Sequence, residues 1–395
     1  MSELHEQVVI PKKPLPPGLI TFGWTSLLAG ALLIALSYLF DMQRALYNNL
    51  IGFALLTGIS VGAVFYIALE YIAGAVWSTP FRRVTEFLAA TLPFVVLFSI
   101  PLLLNMHEIF HWTHADAVAN DPVLQSKAPY LNTQFFLIRF AVMMALWLLF
   151  YFIFKKHSLA QDLNKEQHHT KTNIKFAAAF IPVFAISLSI FAIDWLMSLE
   201  PHWFSTIFAV YFFIGSIVCA LAIITYLVVY LSTRGYFFTG ITEDHYYTFG
   251  ALLFGFLSFW AYIAFSQFML IWYANLPEEN FWFIARWKNG WEYVSMALAL
   301  FHFWLPYFLL VSRPSKMNTG NLKRVSIMLI LAHILDLYWM VMPTFYASPV
   351  FSFYEIAFPL FVIGLVTVVF ASQAKKYNLV PVGDPKLQRG MDFHL

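Results

Sequence analysis

Residues 145–154 read ALWLLFYFIF, ten apolar residues without interruption, and the wider stretch 131–154 carries a single charge, Arg139. A strand with one wet face would alternate apolar and polar side chains at every second position, whereas an unbroken run of this length is the signature of a helix crossing hydrocarbon. Comparable stretches lie at about 18–40, 49–78, 84–105, 174–199, 203–232, 244–274, 290–312, 325–346 and 350–372. With 61% hydrophobic and only 11% charged residues in 395, they predict an all-α polytopic membrane protein of about ten transmembrane helices. A closed β-barrel is excluded by the lack of alternation.

Charge sets the expected orientation. Eighteen of the 23 Lys and Arg fall in the tails and the even-numbered loops, among them Lys12, Lys13, Arg82, Arg83, Lys155 and Lys156, and only Arg44, Lys127, Arg286 and Lys288 fall in the opposite loops. The positive-inside rule then places both termini in the cytoplasm, and an even number of spans puts them on one side as this requires. The first span follows Lys12 and Lys13 without a small-residue cleavage pattern, so it reads as a retained helix, not a signal peptide. The expected segments are a cytoplasmic tail at 1–17, a four-span group at 18–154, a cytoplasmic linker at 155–173, a second four-span group at 174–312, two further spans at 313–372 and a cytoplasmic tail at 373–395. Loops 106–130 and 275–289, rich in aromatic residues, are the expected docking surfaces on the other side.

A net charge of +2 without a basic patch leaves no footprint for nucleic acid. Cys219 is the only cysteine, so the chain has no Cys-x-x-Cys-His haem attachment and no four-cysteine iron–sulfur set. Such centres would have to belong to partner subunits.

Seven ionisable residues fall within the spans: Glu70, Arg139, Asp194, His302, His333, Asp336 and Glu355. Charges are costly in hydrocarbon and commonly mark ion or proton pathways. Counting the helical rise of about 1.5 Å per residue places Arg139, Asp194 and Glu355 in the outer half, His302, His333 and Asp336 near the middle, and Glu70 in the inner half. In projection this is a ladder of groups that can exchange protons. His333 and Asp336 are i, i+3 neighbours on one helical face. Ser187 and Ser198 stand at helical spacings from Asp194, where their hydroxyls would solvate its carboxylate. The competing reading makes these residues buried pairs that hold helices together, as Arg139 with Asp194 would.

Other patterns carry less information. His107-Glu108-Ile109-Phe110-His111 fits H-E-x-x-H, with His114 three residues on, and on a continuous helix the three histidines would share a zinc-binding face. An aromatic and histidine-rich interface looks the same in sequence. His302 and His333 could instead ligate a b-type haem between facing helices, although no helix carries a pair of histidines of the kind diheme cytochromes use. Gly58 and Gly62 form a G-x-x-x-G packing motif. Trp282, Trp287, Trp291 and Tyr293 read as an interfacial belt.

The stretch from Asp121 through Lys127, Tyr130, Leu131 and Asn132 to Phe135, Phe136 and Arg139 resembles the large membrane subunits of bacterial alternative complex III. So does Asp194-Trp195-Leu196-Met197-Ser198-Leu199-Glu200-Pro201 with Trp203 after it. Those subunits are distant relatives of the NrfD and polysulfide reductase C proteins, and the resemblance runs from about the second span to the tenth. It implies two four-helix bundles with two peripheral helices, in a complex that oxidises menaquinol and passes electrons to c-type haem. Haem c and iron–sulfur clusters would reside in partner subunits, beside a paralogous membrane subunit and c-type cytochromes, with membrane lipid around the whole. The length and short N-terminal tail are closer to the F subunit than to the paralogous C subunit. The resemblance thus implies a subunit of the bacterial inner membrane, without its own cofactor, that carries a proton path beside a quinone-related pocket. A secondary transporter, which also buries charge at midplane, and a structural scaffold for redox subunits are the alternatives. Pro93, Pro101 and Pro182 interrupt spans, but not in matching positions of two halves.

Overall fold

The computed structural model describes residues 13–238 and 240–395. Lys12 and most of the N-terminal tail lie outside the described residues, as does Thr239. Among the described residues there is no strand, and ten helices are long and apolar enough to cross a membrane. They are α1 (Pro17–Phe40), α2 (Met42–Ala73), α3 (Thr79–Leu104), α4 (Thr133–Asn164), α5 (Gln167–Leu199), α6 (Phe208–Ser232), α7 (Glu243–Ala274), α8 (Trp291–Leu310), α9 (Thr319–Thr344) and α10 (Phe353–Lys376). The chain is a multi-pass helical membrane protein.

Two boundaries differ from the sequence reading, each for a local reason. Asp41 alone separates α1 from α2: its extended backbone breaks the helix, and its carboxylate accepts from the Arg44 N–H to start the next. The second span therefore begins seven residues early, its polar first turns being paired with α1 and α10. Residues 155–173, expected as a cytoplasmic linker, are helical nearly throughout. Nothing in KKHSLAQDLN breaks a helix, so α4 runs on to Asn164, and Lys165, at φ 58°, makes the left-handed reversal that starts α5 two residues later.

The grouping also shifts by one helix. α1 packs along α10, not with the three spans that follow it; α2 to α5 form one bundle and α6 to α9 a second. The expected division at 18–154 and 174–312 therefore falls one helix too early. α2 and α6 are the interior helices, with 94% and 83% of their most apolar windows buried by protein. They can lie this close because their contact is made of small residues: a Cβ on Gly58 would come 2.7 Å from Ser216 Oγ, and one on Gly62 would come 2.9 Å from Ala220 Cβ. This is the packing that the G-x-x-x-G pattern predicts. Outward faces are apolar instead, as with Phe22, Leu28, Leu32 and Leu39 on α1.

Residues 377–395 fold back over the end of the bundle that carries Arg82 and Lys155, here called the basic end. His245 at the start of α7 donates to the Gly390 carbonyl, and Gly383 N–H reaches Asp162 on α4.

Candidate functional site

Four helices of the second bundle bring Tyr211 (α6), Trp260 (α7), His302 (α8), His333 and Asp336 (α9) together, all at most 4% exposed. Tyr211 donates its hydroxyl to Asp336 Oδ1. Asp336 Oδ2 lies 3.9 Å from Nδ1 of His302 and 3.9 Å from Nδ1 of His333. The Trp260 ring covers His302 at 3.9 Å between centroids, and the two imidazoles stand 6.2 Å apart. His302 lies in a π-helical turn, Ala299–Trp304, where the widened helix turns it inward while Leu300, Phe301 and Trp304 face out. Gly215 admits the cluster to α6, since a Cβ there would lie 3.0 Å from His333 Cε1.

Six polar atoms in this cluster, both nitrogens of His302, both of His333, Oδ2 of Asp336 and Nε1 of Trp260, have no hydrogen-bond partner among the described residues. Buried polar atoms are ordinarily paired, and each orphan is expensive. Asp336 Oδ2 faces the two Nδ1 atoms across gaps about an ångström longer than a charge-assisted hydrogen bond of about 2.7–2.9 Å. Such an arrangement can pass a proton between a carboxylate and an imidazole with small side-chain movement. It does not suit haem: Trp260 covers one ring, Gly215 backs the other, and both imidazoles turn toward one carboxylate with no slot for a macrocycle.

The remaining intramembrane groups are ion-paired and lie in three separate places. At the basic end Arg82, 3% exposed, binds Glu70 at 3.2 Å and also Asp384, while Glu86 lies at 3.5 Å. Arg83 beside it binds Glu86 at 2.6 Å and Asp162 at 2.5 Å. Asp384 lies outside the spans; burial would raise its carboxyl, and the Arg82 guanidinium more than offsets this, so it is held below the ordinary carboxylate range. At the opposite end Arg139 holds Asp194 through two bonds, 2.8 and 3.0 Å, donates to the Tyr130 carbonyl, and stacks on the Tyr130 ring. The hydroxyls expected to solvate Asp194 do otherwise: Ser198 donates to its backbone carbonyl, and Ser187 accepts from Trp147. In the π-helical turn Ala192–Leu196 the carboxylate swings toward Arg139 instead. Glu355 is bound by Arg44 at 2.7 Å and closes a capping box at the start of α10, so it belongs to a helix end and not to mid-membrane.

The seven residues thus do not form one continuous chain. His302, His333 and Asp336 meet; Glu70, Arg139 with Asp194, and Glu355 stand apart. The nearest link runs through α6, where the Tyr66 hydroxyl bonds the Ile217 carbonyl two residues beyond Gly215. Tyr66 and Glu70 then line one cavity of about 280 Å³, with Ser78 and Thr85. Among the described residues no side-chain hydrogen bond joins it to the central cluster.

The H-E-x-x-H motif does not make its zinc face. The helix that begins at Met106 ends at Ile109, Phe110 is extended, and His111 starts a separate turn. His114 Nε2 is taken by the His107 carbonyl at 2.8 Å, and His107 Nδ1 lies 3.2 Å from Thr113 Oγ1. Of the expected aromatic belt, Trp287 and Tyr293 are exposed, but Trp282 and Trp291 are core residues. Trp282 stacks on Trp203 and under Arg286, whose guanidinium is 2% exposed and donates to the carbonyls of Trp282, Trp339 and Met340. Burial pushes Arg286 down to about 9, with the Glu200 carboxylate opposing.

Tyr211, Trp260, Arg286 and Asp384 were missed from sequence. Aromatic and loop residues gave no signal, because it is contact with distant helices that gives them a role. His157, His168 and His169 likewise give no signal in sequence, because only the α4–α5 reversal brings them together.

The two motifs that carry the family resemblance meet at the Arg139 end. Besides Arg139 with Asp194, Lys127 donates to the Pro201 carbonyl at 2.6 Å and His202 pairs with Asp121 at 2.5 Å. Between them lies a cavity of about 350 Å³ lined by Lys127, Tyr130, Ser198, Pro201 and Trp203. The sequence matches no protein-family profile, and no curated protein is significantly similar to it.

Proposed function

We propose that this chain is an integral membrane subunit of a quinol-oxidising electron-transfer complex, of the alternative complex III kind, and that its own contribution is proton movement within the bilayer. The observation that supports this reading is the cluster of Asp336, His302 and His333, whose five unpaired polar atoms converge in the interior of the second bundle. Arg139 and Asp194, by contrast, are bonded directly to each other. A cluster that keeps acid and base apart by one short movement is suited to transfer instead. Glu70, facing its cavity near the basic end, is the relay on that side. The pocket between Lys127 and Trp203 is where a quinone-related headgroup would sit. Haem c and iron–sulfur centres would be supplied by partners in the bacterial inner membrane.

The test has two arms. Mild-detergent purification of the tagged chain should retain a c-type haem band in the reduced-minus-oxidised spectrum. Asp336→Asn should then abolish proton movement by the complex while leaving the haem band in place. A haem-free preparation would favour a proton-coupled transporter, a reading supported by the interruptions in α3, α5 and α8. Full proton movement in Asp336→Asn would leave the structural scaffold.

A further inference from the structure

The α4–α5 reversal carries three imidazoles at the basic end, outside the cluster above. His157 lies on the last turns of α4, and His168 and His169 lie on the first turn of α5, with only Lys165 and Glu166 outside the two helices. One donor nitrogen from each of the three falls within 4.8 Å of the others. His157 Nδ1 and His169 Nδ1 are 2.8 Å apart, and the His168 and His169 rings lie 3.8 Å apart between centroids.

The outward sides of two rings are held by neighbouring groups. Glu166 Oε2 lies 2.7 Å from His168 Nδ1, which leaves Nε2 of that ring as its free donor. The Asn164 side-chain amide lies 3.0 Å from His169 Nε2, and turning its oxygen to that nitrogen would hold the ring proton there and leave Nδ1, which faces His157, free to ligate. A carboxylate or carbonyl oxygen accepting from the far ring N–H is how metal-binding histidines are oriented. Tetrahedral coordination at a bond length of about 2.0–2.1 Å places ligand nitrogens about 3.3–3.4 Å apart. The 2.8 Å contact must open by about half an ångström and the wider separations must close, movements that side chains at two helix ends can make.

We propose that His157, His168 and His169 bind one divalent first-row transition-metal ion of the zinc class, which staples the α4–α5 reversal. Imidazole donors select such ions over magnesium and calcium, which prefer oxygen. A fourth position is left for water. The metal-free alternative is a proton-sharing imidazole pair, with His169 and His157 bonded directly. The H-E-x-x-H segment is an internal control, because its three histidines do not converge in this way.

The test uses the full chain in detergent, purified through a tag without histidine, stripped with chelator and dialysed against Zn2+. Elemental analysis should find about one zinc per chain, lost in His157→Ala and in His169→Ala and retained in a His107→Ala/His111→Ala/His114→Ala variant. Co2+ in place of zinc should give the intense visible d–d bands of a tetrahedral site in the wild-type chain, a reading that does not depend on any variant folding. Wild-type protein that retains no zinc and gives no such bands would overturn the site. So would zinc that persists in His157→Ala and His169→Ala but leaves with the His107, His111 and His114 substitutions.

Discussion

Tyr211 on α6 donates its hydroxyl to one oxygen of Asp336 on α9, and the other oxygen stands 3.9 Å from the Nδ1 atoms of His302 and His333. One side of the carboxylate is fixed and the other is free to exchange. Tyr211→Phe keeps the ring and removes the donor, so the carboxylate loses its anchor and its preferred direction. Loss of one such bond, at about 1 kcal/mol or somewhat more, should slow proton movement by about tenfold. Acidification measured in energised vesicles checks this; an unchanged rate would show that the fixed oxygen has no part in transfer.

Asp194 and Asp336 should behave differently, although both are buried aspartates inside spans. Asp194 is one half of a bidentate pair, so Asp194→Asn leaves the Arg139 charge without its counterion and should destabilise by about 3–5 kcal/mol. The expected outcome is less assembled protein, with normal proton movement per assembled complex. Quantitative immunoblotting beside the vesicle assay separates amount from rate. Arg139→Lys should lie between, since an ammonium cannot reproduce the planar fork.

Asp384 gives a pH dependence with a definite sign. Its folded pKa lies below that of an unfolded aspartate, about 3.9. The stabilisation is therefore fully present above that unfolded value and is lost as pH falls through the lower folded value. Asp384→Asn should destabilise the protein in detergent at neutral pH, at the low end of about 3–5 kcal/mol because Glu70 and Glu86 still face Arg82, and so lower its melting temperature. The gap between wild type and variant should narrow below about pH 4. A gap that grows on acidification would contradict the pairing.

Close approach of α2 and α6 predicts a contrast between two glycines. Gly58→Val inserts a branched side chain where a Cβ already lies 2.7 Å from Ser216 Oγ, and should cost about 1–3 kcal/mol. Gly255 on α7 has nothing within 4 Å of its Cβ position, and Gly255→Ala should stabilise by about 0.5–1 kcal/mol through helix propensity. Thermal unfolding of the two variants is a direct comparison.

The spans were legible because hydrocarbon demands length and apolarity, both of which can be read one residue at a time. The i, i+3 relation of His333 and Asp336 was legible for the same reason, being local to one helix. His302 joins them only because a π-helical turn redirects it, and no feature of ALFHFW announces that turn. Tyr211 and Trp260 are ordinary span aromatics until α6 and α7 are placed. Arg82 looked like a positive-inside loop residue; its burial depends on a carboxylate from the far end of the chain. Arg286 likewise reads as part of a docking loop, whereas it lies over the Trp282 ring and donates to the carbonyls of α9.

That far carboxylate has a consequence for biogenesis. Asp384 follows Arg82 by 302 residues, so at about 5–20 residues per second the ribosome delivers it some 15–60 s later. During that interval the newly inserted cation has Glu70 and Glu86 as its carboxylate partners. Docking of the tail is then the late event at this site, and a chain stalled before residue 384 would present Arg82 without the third of its three carboxylates.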